Sequence, residues 1–354
     1  MNKNNGIVTS SPPPLRYGSI DGLRTFGCLA IIAWHVMWNS GVQLNDVFCN
    51  KVVPSWNFLV YLFMIVSGFG MCNGYYEKVK SGNYDVNNFY KKRYQKNLPF
   101  FALLILINLL MDHDLSSMYE GLMEITMLFG FLPNNTLSVI GVSWTLGTIF
   151  AFYIIFPYFV FLIYNKKRAW FSFVASLLIT YMCSAYFMTD KFVQSSFVPR
   201  HSFLYCLSYF LGGGLIYLYR NEIESILRKR KLVYGIVCIA VTILYYVIPD
   251  EVNGTSLIVV KTLILYLLWF CFAIGDEVGF MSNKFTKLIS GISMEMYLAH
   301  MVFFRVIEKL NISRFLGNGY VAYIATYLLV LISLIVAIKL YQMLVRTIRE
   351  KLQK

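Results

Sequence analysis

Residues 320–340 read YVAYIATYLLVLISLIVAIKL, with a single charge, Lys339, next to the last position. A helix crossing a hydrocarbon core of ~30 Å needs about 20 predominantly apolar residues. A soluble surface helix would interrupt such a run with polar residues on its outer face. Similar runs recur at 23–41, 56–74, 98–111, 141–164, 169–189, 203–219, 232–248, 257–275 and 288–306. The pattern predicts an all-α, polytopic integral membrane protein of about ten transmembrane helices. The run at 98–111 is short and is expected to extend by a few residues. A further apolar stretch, 121–133, ends at Pro133 and is too short to cross, so it is expected to be re-entrant or interfacial.

Composition agrees with the lipid bilayer as solvent and partner. Only 14% of the 354 residues are charged, against about 25% in a soluble domain. The net charge of +13 would suggest nucleic acid in a soluble chain. Here the basic residues sit in short loops between apolar runs, which excludes nucleic acid as a partner. The seven cysteines form no CxxC pair and read as small buried hydrophobes. Residues 1–22 are expected to form a disordered cytoplasmic arm, 23–340 the transmembrane domain and 341–354 a basic cytoplasmic tail. Neither an internal repeat nor a second, soluble domain is evident.

Basic residues concentrate on the cytoplasmic side of membrane proteins. With the N-terminus inside, 24 of the 31 Lys and Arg fall in cytoplasmic segments and five in outer loops. Both N- and C-termini are therefore expected to be cytoplasmic, which requires an even number of crossings.

Ionisable groups at bilayer depth are costly and mark function. Arg24 and His35 lie eleven residues apart in the first run, about 20° past three full turns and about 16 Å along the axis. They share one helix face. A basic residue at the inner mouth and an imidazole three turns deeper suit a long donor with phosphates at one end, such as a coenzyme A thioester. Depth counting places Ser67 and His300 level with His35, and Glu295 nearer the cytoplasm, paired or protonated. Arg93 and Lys96 sit three apart on one side of a helix, where they can hold nucleotide phosphates or anchor to lipid headgroups. The four histidines, His35, His113, His201 and His300, are scattered without metal-ligand spacing, so no metal is expected.

Several segments together resemble the membrane acyltransferase family 3, the bacterial O-acyltransferases of surface polysaccharides, lipopolysaccharide and peptidoglycan. Ile20-Asp21-Gly22-Leu23-Arg24 followed by His35 is similar to the family's first-helix motif, and Ser67-Gly68-Phe69 to its second. Arg93-Tyr94-Gln95-Lys96 with Pro99 resembles its basic segment. Trp144-Thr145-Leu146 with Phe152-Tyr153 and Pro157 resembles its WSL segment. Ser293 to His300 resembles its SxxxYLxH segment. Five motifs in order cover residues 20–300. Two departures stand out: the second arginine of the basic segment is Lys96, and the glutamate that many members carry after WSL is Ile149.

The resemblance implies a stand-alone acyltransferase in the bacterial cytoplasmic (inner) membrane. It would move an acyl group, acetyl being the commonest, from acyl-CoA to a hydroxyl of a surface carbohydrate: capsule, exopolysaccharide, O-antigen or a lipid-linked precursor. His35 would act as general base, with Arg24, Arg93 and Lys96 on the donor. Ser67, Tyr297, His300, Glu295 and Trp144 would serve as oxyanion or positioning groups. Direct transfer and a covalent acyl group on His35 or Ser67 are both compatible with these residues. The competing class is a glycan transporter or flippase, which would show matching inverted halves; Gly212-Gly213-Gly214 has no partner triplet.

Overall fold

The computed structural model describes residues 15–352 apart from 43, 112–113, 133–136, 138, 194–196, 253–254, 276–278, 280 and 312–314. The chain is helical almost throughout: α1 (Gly18–Asn39), α2 (Val60–Lys80), α3 (Val86–Met111), α4 (Leu115–Thr126), α5 (Trp144–Leu162), α6 (Lys166–Met182), α7 (Phe203–Leu218), α8 (Arg220–Val247), α9 (Ile258–Gly275), α10 (Lys284–Gly291), α11 (Ser293–Glu308) and α12 (Tyr320–Leu352). A two-residue antiparallel ribbon, Glu251–Val252 with Thr255–Ser256, links α8 to α9. Among the described residues, eight helices are long and apolar enough to cross a membrane. The sixteen-residue α7 and α11 fall on the remaining expected spans.

Several boundaries differ from the apolar runs. The first helix begins at Gly18, so residues 18–22 of the expected arm form its first turn. Residues 48–59 coil into short π, α and 3-10 turns leading into α2, and the second membrane segment is really 48–80. Helix α3 starts at Val86, twelve residues before the apolar run at 98–111, and Arg93 and Lys96 lie on it as expected. In α8 the helical geometry breaks at Arg230, separating the basic stretch from the apolar span beyond it. Residues 121–133 do not cross: α4 ends in left-handed Met127, and the chain turns back through Phe129–Phe131. Pro99 and Pro157 lie inside α3 and α5, which transmembrane helices tolerate because neighbours satisfy the freed carbonyls. Helix α12 runs antiparallel to α1, with the Tyr323 and Tyr327 hydroxyls donating to Ala33 O and Leu29 O. The start of α1 and the end of α12 thus lie on one face, hereafter the terminal face.

The bundle is organised around α7, which is buried on nearly every side. Its three glycines each face a different helix. A Cβ on Gly213 would lie 2.2 Å from Ile65 O of α2, one on Gly212 2.8 Å from Leu267 Cδ2 of α9, and one on Gly214 3.0 Å from Ile163 Cδ1 at the end of α5. The approach to α2 is reciprocal, since a Cβ on Gly68 would lie 2.3 Å from Phe210 O. Small residues at such crossings let transmembrane backbones pack closely where no hydrophobic effect drives association.

Because the clash at Gly68 and Gly213 is with backbone, neither position has a side chain that can give way. Gly68→Ala and Gly213→Ala are each expected to cost several kcal/mol and to abolish the monodisperse peak in detergent size-exclusion chromatography. Gly70→Ala, two residues from Gly68 with nothing within 4 Å of its Cβ, is expected to elute and melt like wild type.

Candidate active site

The start of α1 is docked by its own motif. Ser290 Oγ donates to Asp21 Oδ1 at 2.7 Å, Thr25 Oγ1 donates to Thr286 O at 3.0 Å, and Gly22 leaves room for Met281. Helix α10, capped by the reciprocal Asn283–Thr286 box, supplies the other side of these contacts. With α1 so held, Arg24 points at α11 and donates to Ser293 Oγ at 3.1 Å.

Arg24, Lys96 and Glu295 lie within electrostatic reach of one another toward the terminal face, with Arg93 beside Lys96. Lys96 is exposed. Arg93 is caged: its guanidinium sits 4.1 Å from the Phe89 ring centre and 4.4 Å from that of Tyr75. It donates to Tyr75 Oη at 3.0 Å and to Phe89 O at 3.3 Å. Its charge is therefore fixed in place.

Ser67 belongs to this end and not to the level of His35. Its hydroxyl is hydrogen-bonded to Tyr153, which is itself in reach of Arg93 and Arg24. Phe63 packs against Gly27, and Phe69 lies 5.3 Å from the Tyr17 ring, so α2 passes Ser67 near Arg24. Depth counting from residue 56 failed because the chain spends residues 48–59 in short turns before α2 begins.

His35 and His300 do meet, ring to ring, with centroids 4.7 Å apart. Each Nδ1 faces a carbonyl on its own helix: Ile31 O at 2.9 Å for His35 and Tyr297 O at 2.6 Å for His300. A carbonyl only accepts, so Nδ1 carries a proton in both rings, and in the neutral form Nε2 holds the lone pair. Tyr297 Oη is paired with Thr145 Oγ1 at 2.8 Å, tying α11 to α5. Trp34 stands edge-on to His35 at 4.3 Å.

A second pair, Arg200 and His201, packs beside this cluster. Arg200 and His201, on the turn before α7, cover Trp144: His201 stacks on its ring at 4.7 Å and the Arg200 guanidinium lies 5.5 Å from it. Arg200 is in electrostatic reach of both His35 and Tyr297. Burial, with Arg200 alongside, pushes the His201 pKa down to about 3, so that ring is neutral. His300 Nε2, His201 Nδ1 and Arg200 Nε are all buried without a hydrogen-bond partner. Native structures rarely leave buried polar atoms unmatched; here two belong to residues packed on Trp144 and the third to the ring packed on His35. Arg200 was counted only as an outer-loop charge; the Pro199-Arg200-His201 run was the one available signal. His113 lies outside the described residues.

A family model described as an acyltransferase domain matches residues 17–340. The chain belongs to membrane acyltransferase family 3. No curated protein and no solved structure matches it. In this acyltransferase the sequence motifs account for both ends of a polar line: Arg24 and Lys96 near the terminal face, His35, His300, Tyr297 and Trp144 farther along. The position of the common glutamate, Ile149, is filled by a buried apolar side chain.

Another glutamate braces the same helix. Glu124 of α4 has no exposed surface and accepts from Ser143 Oγ at 2.7 Å, immediately before Trp144. Glu120, on the same helix, accepts from Val139 N. Burial raises the Glu124 pKa from its ordinary 4.5 to about 8, against the pull of the Ser143 bond and with Glu120 adding to the rise. The folded protein therefore holds a proton there that the unfolded chain releases, and stability should fall as pH rises from about 4.5 to about 8. In Glu124→Gln, which keeps an acceptor and cannot ionise, the melting temperature should be flatter across pH 5–9 and higher than wild type near pH 8. Scanning fluorimetry in detergent across that range measures it.

Proposed function

We propose that this membrane acyltransferase transfers an acetyl group from acetyl-CoA to a hydroxyl of a bacterial surface polysaccharide, with His35 as general base. The observation that carries the mechanism is the His35 ring, pinned through Nδ1 to Ile31 O and packed on His300, whose Nε2 is buried without a partner. A base is efficient when its lone pair is already directed and its tautomer is fixed. The loop-charge bias supports a cytoplasmic terminal face, and Arg24 and Lys96 at that end suit the phosphates of a donor made inside the cell. The donor's arm would follow α1 from Arg24 toward His35, about 16 Å away.

In the proposed step His35 Nε2 takes the proton of the sugar hydroxyl as its oxygen attacks the thioester carbonyl. The carbonyl oxygen gains negative charge facing the Arg200 guanidinium. Collapse of the tetrahedral intermediate breaks the C–S bond. The departing thiolate takes the proton back from the His35 imidazolium, which returns the ring to its starting form. Tyr297, locked to Thr145, holds the His300 backbone and ring against His35. Ser67 lies too near Arg24 to act as oxyanion donor and instead orients Tyr153.

His35→Ala in purified protein is expected to lower acceptor-dependent thiol release about 100-fold to 10,000-fold without loss of folded protein. In cells, surface polysaccharide from that mutant should lose its acetyl proton resonances at unchanged chain length. Wild-type acetylation by His35→Ala would exclude His35 as the base, and polysaccharide trapped inside would place the protein among transporters.

A further inference from the structure

The far end of α1 carries two tryptophans that no part of the mechanism uses. Trp34 and Trp38 are one turn apart, their rings stacked at 6.2 Å and 30°. Trp34 in turn touches the His35 ring edge-on at 4.3 Å. Trp38 is 70% exposed in the last turn of the helix.

An exposed tryptophan at a helix end commonly belongs to the interfacial aromatic belt facing lipid headgroups. The register of α1 argues otherwise. Trp38 is three residues beyond His35 and fourteen beyond Arg24, which puts it about 60° and 40° from their directions on the helix. Phe26, 54% exposed, marks the outward side of α1 and lies about 120° from Trp38. On the other flank the exposed Asn39 side chain donates to His35 O at 2.7 Å. Trp38 and Asn39 therefore straddle the direction of His35, about one turn beyond it, at the end of α1 away from the terminal face.

Resting on the transferase function above, we propose that Trp38 and Trp34 form the acceptor subsite, a stacked aromatic platform that binds a pyranose ring by its flat C–H face and presents one hydroxyl to His35. The chemistry fits the shape. The faces of aromatic rings carry negative charge density that favours polarised C–H groups, and stacking leaves the ring hydroxyls free at the edges. The Trp34–Trp38 ladder gives a glycan chain a path from the exposed ring down to the imidazole.

The test uses the full-length protein in lipid nanodiscs. Acrylamide quenching of tryptophan emission is compared between wild type and Trp38→Phe, so that the difference reports Trp38. The probes are the methyl pyranosides of glucose, galactose and N-acetylglucosamine, with sorbitol as an acyclic polyol of similar hydroxyl content. At least one pyranoside should shield Trp38 while sorbitol does not. If none does, the platform is refuted, whether or not the protein transfers acetyl groups. In thiol-release assays with the same pyranosides as acceptors, Trp38→Ala should raise the acceptor KM about tenfold with kcat and the acetyl-CoA KM retained, and Trp38→Tyr should recover most of the loss. An unchanged acceptor KM, or a loss confined to kcat, would also overturn the proposal. Shielding without thiol release from wild type would leave the sugar platform standing and refute the transferase function instead.

Discussion

Hydrocarbon offers no hydrogen-bond partner, so a histidine inside a transmembrane helix must be satisfied by the protein itself. His35 meets that demand through the carbonyl of Ile31, one turn back on its own helix. This bond settles which nitrogen keeps its proton and which can accept one. Everything else around the site supports that imidazole: His300 packs on it, Tyr297 and Thr145 hold His300, and Trp144 carries the neutral His201 and the cationic Arg200 to the same place.

The match between α1 and α11 explains how two separate motifs make one site. The Cys28 thiol approaches Ser293 O at 3.5 Å, and seven residues later on each helix His35 meets His300. Two parallel helices that keep a seven-residue register present the same faces to each other along the seam. Arg24, one turn below Cys28, reaches up to Ser293 with its long side chain. The histidine pair and Arg24 are thus set by a single helix–helix alignment, and the Asp21–Ser290 and Thr25–Thr286 bonds fix that alignment at its base.

Much of this was legible in the sequence because bilayer thickness and helical rise are both nearly constant. Among the described residues, the apolar runs located the eight helices long and apolar enough to cross, and the eleven-residue interval from Arg24 to His35 placed both on one face. His300 was brought correctly to the level of His35 because α11 is a simple helix. Ser67 was misplaced because residues 48–59 are coiled into tight turns, and no periodicity reveals such compaction. Lys96 and Arg93 read as a charged pair, but the aromatic cage around Arg93 needs Tyr75 of the preceding helix as well as Phe89 one turn back on α3, and only tertiary packing brings Tyr75 there. Glu124, Arg200 and His201 were invisible as site residues since they sit in segments that do not cross, where a polar residue is ordinary until tertiary packing buries it.

The most direct measurement is the nitrogen NMR spectrum of histidine-labelled protein in bilayers, with His35 assigned by its loss in His35→Asn. The proposed base requires a neutral ring at pH 7 with a protonated Nδ1, as the bond to Ile31 O implies, and an unprotonated Nε2, and a change in the Nε2 signal alone when a donor analogue and an acceptor are added together. A proton on Nε2, or a ring already cationic in the resting protein, would contradict a base poised at His35.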